Sequence, residues 1–168
     1  VKIYGSSTIS VNIEAIKTSN FYEVMIETGR EKTGINLFKW IDKLQQIGVG
    51  EIIITKINDE GKQNGFDVAF YESLRKKIDI PLIAHGGAGS KENILKLFKE
   101  SNVDGVSIAS IFHYKYMKKD TSGNTMGTNY FLKSFSEATS SGIFIKDLKN
   151  YLVDNNVDIR IWKKNQTL

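Results

Sequence analysis

The sequence predicts an α/β fold built on a parallel sheet. Apolar β-branched runs alternate with segments of helical periodicity, and the later strands stand about one βαβ unit apart. The third observation is the stretch Ile80-Pro-Leu-Ile-Ala-His-Gly-Gly-Ala-Gly89, an apolar run that breaks into a glycine loop just ahead of Ser90, a helix start. Neither a sandwich nor a helix bundle gives this order.

Thr8–Glu14 alternates like a strand and ends on a carboxylate, and Phe21–Ile26 is a second extended run. Thr28–Gly34 reads as a polar loop leading into a helix over Asn36–Ile47, where Leu37, Trp40, Ile41, Leu44 and Ile47 share a core-facing stripe and Gly48 stops the turn. Glu51–Thr55 is the next strand, followed by the loop Lys56–Phe66 and a helix over Asp67–Lys77 with Val68, Tyr71 and Leu74 inward. Ile80–Ala84 is a strand, Ser90–Glu100 a helix burying Ile94, Leu97 and Phe98, and Val103–Ala109 the last strand, with Ser110–His113 turning off its end. Lys115–Gly142 breaks the rhythm with Ser, Thr, Gly, Asn and Lys, and is expected to be an inserted loop or arm within one domain of residues 1–168. Ile143–Asn155 resumes as an amphipathic helix, and Val157–Trp162 is a short extended tail.

With 168 residues and 40% hydrophobic content the chain suits one globular domain with a real core. No apolar run approaches a membrane span and no secretory leader opens the chain, which predicts a soluble, cytoplasmic protein with no membrane partner. The absence of cysteine excludes disulfides and thiolate metal sites, and two histidines do not point to a multi-histidine centre, so no metal and no cofactor are expected. The net charge of +4 is spread over helices rich in both signs, without the basic, aromatic-laced stripe of a nucleic-acid groove. The first residue is Val1 rather than Met, consistent with a processed terminus or a piece of a longer chain.

Ligands of parallel α/β folds collect at the carboxyl ends of the strands. Here those ends carry Glu14, Thr55 with Lys56–Gly61, His85–Gly89 and Ala109–Ser110. Glycines let backbone N–H groups press against a phosphate beside the positive end of a helix, although a tight strand-to-helix turn that binds nothing uses the same residues. His85 is open to three readings: proton shuttle, phosphate contact or plain loop histidine. Thr28 serves a ligand or a turn, and His113 suits packing better than catalysis.

Five segments, in order, resemble the cyclase subunit family of imidazole glycerol phosphate synthase: Thr28-Gly-Arg-Glu-Lys-Thr-Gly34, Gly48-Val-Gly-Glu-Ile-Ile-Ile-Thr55, Asn58-Asp-Glu-Gly61 with Gly65-Phe-Asp67, Ile83-Ala-His-Gly-Gly-Ala-Gly89 and Ala109-Ser-Ile-Phe-His113. The resemblance implies the C-terminal half of a (βα)8 TIM barrel, parallel strands five to eight, with an insertion after the last strand. Four βα units alone leave two open strand edges, so a missing N-terminal half-barrel or a homodimer is expected to complete the fold.

What the resemblance implies for function is a lyase of histidine biosynthesis. Ammonia from a glutaminase subunit reacts with a phosphorylated ribotide, giving imidazole glycerol phosphate and an aminoimidazole carboxamide ribotide. One of the family's two catalytic carboxylates falls on Glu14, where Asp is usual. By the same resemblance Gly61, Gly86, Gly87, Ala109 and Ser110 line phosphate sites, and Glu60 and His85 face substrate; Thr55 hydrogen-bonds substrate or Glu14, or is a plain β-branched strand residue. Asn58 and Glu60 stand in place of two aspartates and His85 in place of a small serine, which together suggest an altered ligand. Two further readings stand beside the cyclase: a paralogue acting in amidation of a surface-sugar precursor, favoured by Glu14, Glu60, His85 and the Lys115–Gly142 insertion, and a non-catalytic phosphate-binding half-barrel.

Overall fold

The computed structural model describes residues 1–116 and 142–161. It divides into two compact units, Val1–Ile108 and Ala109–Leu168. The first unit carries β1 (Ser10–Lys17), β2 (Tyr22–Ile26), β3 (Glu31–Asn36), α1 (Leu37–Ile47), β4 (Glu51–Lys56), α2 (Val68–Arg75), β5 (Leu82–His85), α3 (Lys91–Ser101) and β6 (Gly105–Ser107). These strands form one six-stranded sheet in the order β3-β2-β1-β4-β5-β6. β1, β4, β5 and β6 run parallel, as the βαβ spacing predicts.

The parallel strands present Ile13, Ala15, Ile52, Ile54, Leu82 and Ala84 on one face, all nearly inaccessible to water. The helices contribute Leu37, Ile41 and Leu44 from α1, Phe70, Tyr71 and Leu74 from α2, and Ile94 and Leu97 from α3. Ile47, expected on the core stripe, is exposed at the last turn of α1, just before Gly48 takes the left-handed conformation that stops the helix. Asn36, Asp67 and Ser90 each cap a helix by accepting backbone N–H bonds in its first turn.

The largest departure from expectation is the hairpin. β1 does not end at Glu14 but continues to Lys17, pairs antiparallel with β2, and β2 pairs antiparallel with β3. Thr18 closes the first turn: its hydroxyl donates to the Phe21 carbonyl at 2.7 Å and accepts the Phe21 N–H at 3.1 Å. The segment expected as a polar loop is therefore mostly strand, held by the buried Glu23 carboxylate, which accepts the Gly34 N–H at 2.8 Å. The hairpin covers the β1 edge only over Glu14–Lys17 and leaves Ser10–Ile13 unpaired on that side, so of the two open edges expected one is shortened and the β6 edge is bare among the described residues.

The second unit holds α4 (Ser110–Tyr116) and α5 (Ile145–Asp154), with Ile111, Leu148 and Leu152 buried. The expected turn at Ser110–His113 is the first part of α4, and the Ala109 carbonyl accepts the N–H groups of Phe112 and His113. Residues 117–141, most of the expected arm over Lys115–Gly142, lie outside the described residues, as do residues 162–168. Among the described residues no helix is long and apolar enough to cross a membrane.

Candidate active site at the strand ends

Parallel register sets the site. Glu14 pairs with Thr55 and Thr55 with His85, while His85 pairs with Ser107, so one row crosses four strands near their carboxyl ends. Because side chains alternate along a strand, this row lies on the face opposite the helix-covered core. Glu14 and His85 are half-buried; Thr55 is only 2% exposed. The Thr55 hydroxyl lies 2.9 Å from His85 Nδ1 and 3.3 Å from Asn12 Oδ1, linking β1, β4 and β5 through side chains.

Two loops close over the same end. Gly65 N–H donates to the Gly87 carbonyl at 2.8 Å, so the loop after β4 lies backbone to backbone on the loop after β5. A Cβ on Gly87, at φ 104°, would come within 2.5 Å of the Gly65 carbonyl oxygen, and one on Gly89 would run into the Gln63 carbonyl. These two glycines answer to loop packing, the bland reading of the Gly-Gly-Ala-Gly turn. The same geometry leaves donors over: the N–H groups of Gly87, Ala88 and Gly89 bond to no other described residue, although Gly87 and Ala88 are buried. Buried unpaired N–H groups on consecutive residues form a concavity suited to an anion. The N-terminus of α3, expected to share that role, spends part of its capacity on itself, because Ser90 Oγ accepts the Asn93 N–H at 3.2 Å.

Glu60 and Gly61 are exposed on the β4 loop, and a Cβ on Gly86 would lie 3.6 Å from the Glu60 Cα. The structure thus brings Glu60 beside Gly86, and Glu14, Thr55 and His85 into one row. Ala109 and Ser110 belong to the second unit, where Ser110 begins α4. Thr28 sits in the turn between β2 and β3 at φ 56°, its hydroxyl donating to the Glu27 carbonyl, which is the turn role.

Sequence reasoning passed over a cluster that shapes this loop. Lys56, 7% exposed, places its ammonium 2.7 Å from both Asp59 and Asp67. Burial alone would lower the Lys56 pKa, but hydrogen bonds to Asp59 and Asp67 outweigh it and hold the ammonium above its ordinary value. Burial alone would raise Asp67, but the Lys56 bond and the Phe70 N–H hold its carboxyl below the ordinary value. A lysine straight after an apolar strand, with aspartates three and eleven residues on, was the available signal.

Breaking this cluster by Lys56→Met is expected to cost about 1–3 kcal/mol in urea unfolding, less than a fully buried pair because both carboxylates keep some solvent. The contribution of Asp67 is complete above the unfolded carboxylate pKa of about 3.9 and fades as pH falls through its lower folded value. The stability gap between the two proteins should therefore narrow in acid. Lys56 adds a second limit, its contribution fading as pH rises through the raised folded value.

Tyr71 anchors the row from behind. Its side chain is fully buried and its phenol oxygen lies 2.8 Å from the His85 carbonyl and 3.0 Å from that of Ile54. Burial pushes its pKa well above the ordinary phenol value, so it acts as a neutral donor shared between the ends of β4 and β5. Among the described residues no group of three or more His, Asp or Glu is arranged to hold a metal ion.

Comparison with known proteins bears on what this row serves. The family model for histidine biosynthesis proteins matches residues 1–118. A relative from Prochlorococcus marinus (strain AS9601), the imidazole glycerol phosphate synthase subunit HisF, is 40% identical over 115 residues, 67% of this chain and 45% of the relative. Proteins of the same name from Natranaerobius thermophilus and Thermococcus onnurineus are 32% identical over 158 residues and 30% over 161, covering 94% and 95% of this chain and 53% of each relative. The chain thus spans about half the length of the curated relatives it matches. With the family match running from Val1 through all six strands, the chain belongs to the histidine biosynthesis protein family.

Proposed function

We propose that this chain supplies the C-terminal half of an ammonia-dependent cyclase and lyase of the imidazole glycerol phosphate synthase type, acting in the cytoplasm. Its phosphorylated ribotide substrate is held at the strand ends, and ammonia comes from a glutaminase partner. The second half of the barrel comes from an N-terminal half-barrel or from a second copy of the chain. The observation that carries this reading is the set of N–H groups at Gly87, Ala88 and Gly89, which no described residue pairs, beside the row of Glu14, Thr55 and His85. That pairing of an anion seat with a half-buried carboxylate is what proton transfer on a phosphorylated substrate requires.

In this reading Glu14 moves protons, Thr55 and Glu60 position the substrate, and Gly61, Gly86 and Gly87 offer backbone to its phosphate. The phosphate role of Ala109 and Ser110 is a separate proposal that rests on the resemblance alone. The seat is tested by titrating inorganic phosphate into the 15N-labelled chain. Saturable shifts of the Gly87, Ala88 and Gly89 amides are expected, and shifts confined to lysine-rich surfaces would contradict it.

A further inference from the structure

The Thr55 hydroxyl is buried, carries one proton and has two neighbours, Asn12 Oδ1 at 3.3 Å and His85 Nδ1 at 2.9 Å. Asn12 Oδ1 can only accept, so the hydroxyl proton goes there. The Thr55 oxygen is then left to accept from His85, which places the ring proton on Nδ1. In a neutral imidazole the other nitrogen is an acceptor, and which nitrogen holds the proton is set by the bond the first one makes. No described residue bonds His85 Nε2, and the ring is half-buried at the last residue of β5, one residue before the glycine loop.

We propose that Asn12 and Thr55 fix the tautomer of His85, so that Nε2 meets the ligand as a hydrogen-bond acceptor. His85 is then a specificity residue that selects a proton-bearing group, a hydroxyl or an amine, over a phosphate oxygen. This divides labour within the strand-end row: backbone N–H groups of the glycine loop take the anion, and His85 takes a neutral donor of the same molecule. The inference rests on the reading of that row as the ligand site, but the tautomer is a property of the ligand-free chain.

The test is 15N NMR of the chain labelled in histidine, in alkaline buffer where the ring is neutral, with His113→Gln removing the second histidine. A pyrrole-type Nδ1 and a pyridine-type Nε2 are expected. Thr55→Val should move the proton toward Nε2, the form free histidine prefers in water, and Asn12→Asp, which can only accept, should leave the intact chain's pattern in place. Should His113→Gln fail to fold, the signals that Thr55→Val moves identify His85 in the intact chain. A proton on Nε2 in the intact chain, no response to Thr55→Val, or a switch in Asn12→Asp would each overturn the proposal. None of those results bears on turnover, so loss of the cyclase reading and loss of this inference are separable.

Discussion

Glu14→Gln, in a barrel completed by its second half, is expected to lower ammonia-dependent turnover by about 10²- to 10⁴-fold, the range a positioned acid–base group contributes. Glutamine keeps the length and shape of the side chain and cannot exchange the proton. No ion pair or side-chain hydrogen bond ties Glu14 to another described residue, so the substitution removes chemistry without removing a structural contact. The unfolding free energy in urea should therefore stay within about 0.5 kcal/mol of the parent. Substrate binding, carried in this account by the glycine loop, should change little, so that the loss falls on kcat rather than KM. An equal loss of stability would place Glu14 among the packing residues instead.

Gly87→Ala is expected to damage both strand-end loops at once. The residue sits at φ 104°, and the added methyl would meet the Gly65 carbonyl oxygen at 2.5 Å. Backbone strain of that kind costs about 1–3 kcal/mol, and forcing two packed loops apart costs about 1–3 kcal/mol more. The Gly65 N–H bond to the Gly87 carbonyl is strained by the same movement. Reduced stability in urea should be accompanied by loss of phosphate-induced shifts at Ala88 and Gly89, because the seat is made from the backbone that moves. Unchanged stability would mean that the two loops are not in contact as described.

The parallel strands were legible because both of their faces impose a pattern. Glu51–Thr55 and Ile80–Ala84 are apolar runs bounded by glycine or polar loops, and they fall on β4 and β5 to within two residues. β3 was not, since Glu-Lys-Thr-Gly-Ile-Asn lies at a sheet edge with no buried residue and so shows no alternation. Its place depends on Glu23, a buried carboxylate whose partner is the backbone of Gly34. At the site, Glu14, Thr55 and His85 were each visible as strand-end residues, but their common row is a matter of register between distant segments. The Lys56 cluster needs Asp59 and Asp67 to be brought back by the loop, which spacing alone does not reveal.

The role of half a barrel is tested most directly by turnover after reconstitution. The chain is combined with the N-terminal half of the Prochlorococcus marinus HisF relative and supplied with ribotide and ammonium salt, and formation of imidazole glycerol phosphate is followed. The account predicts ammonia-dependent product from the combined halves and none from the N-terminal half alone. A soluble, assembled pair that binds the ribotide and turns none of it over would contradict it.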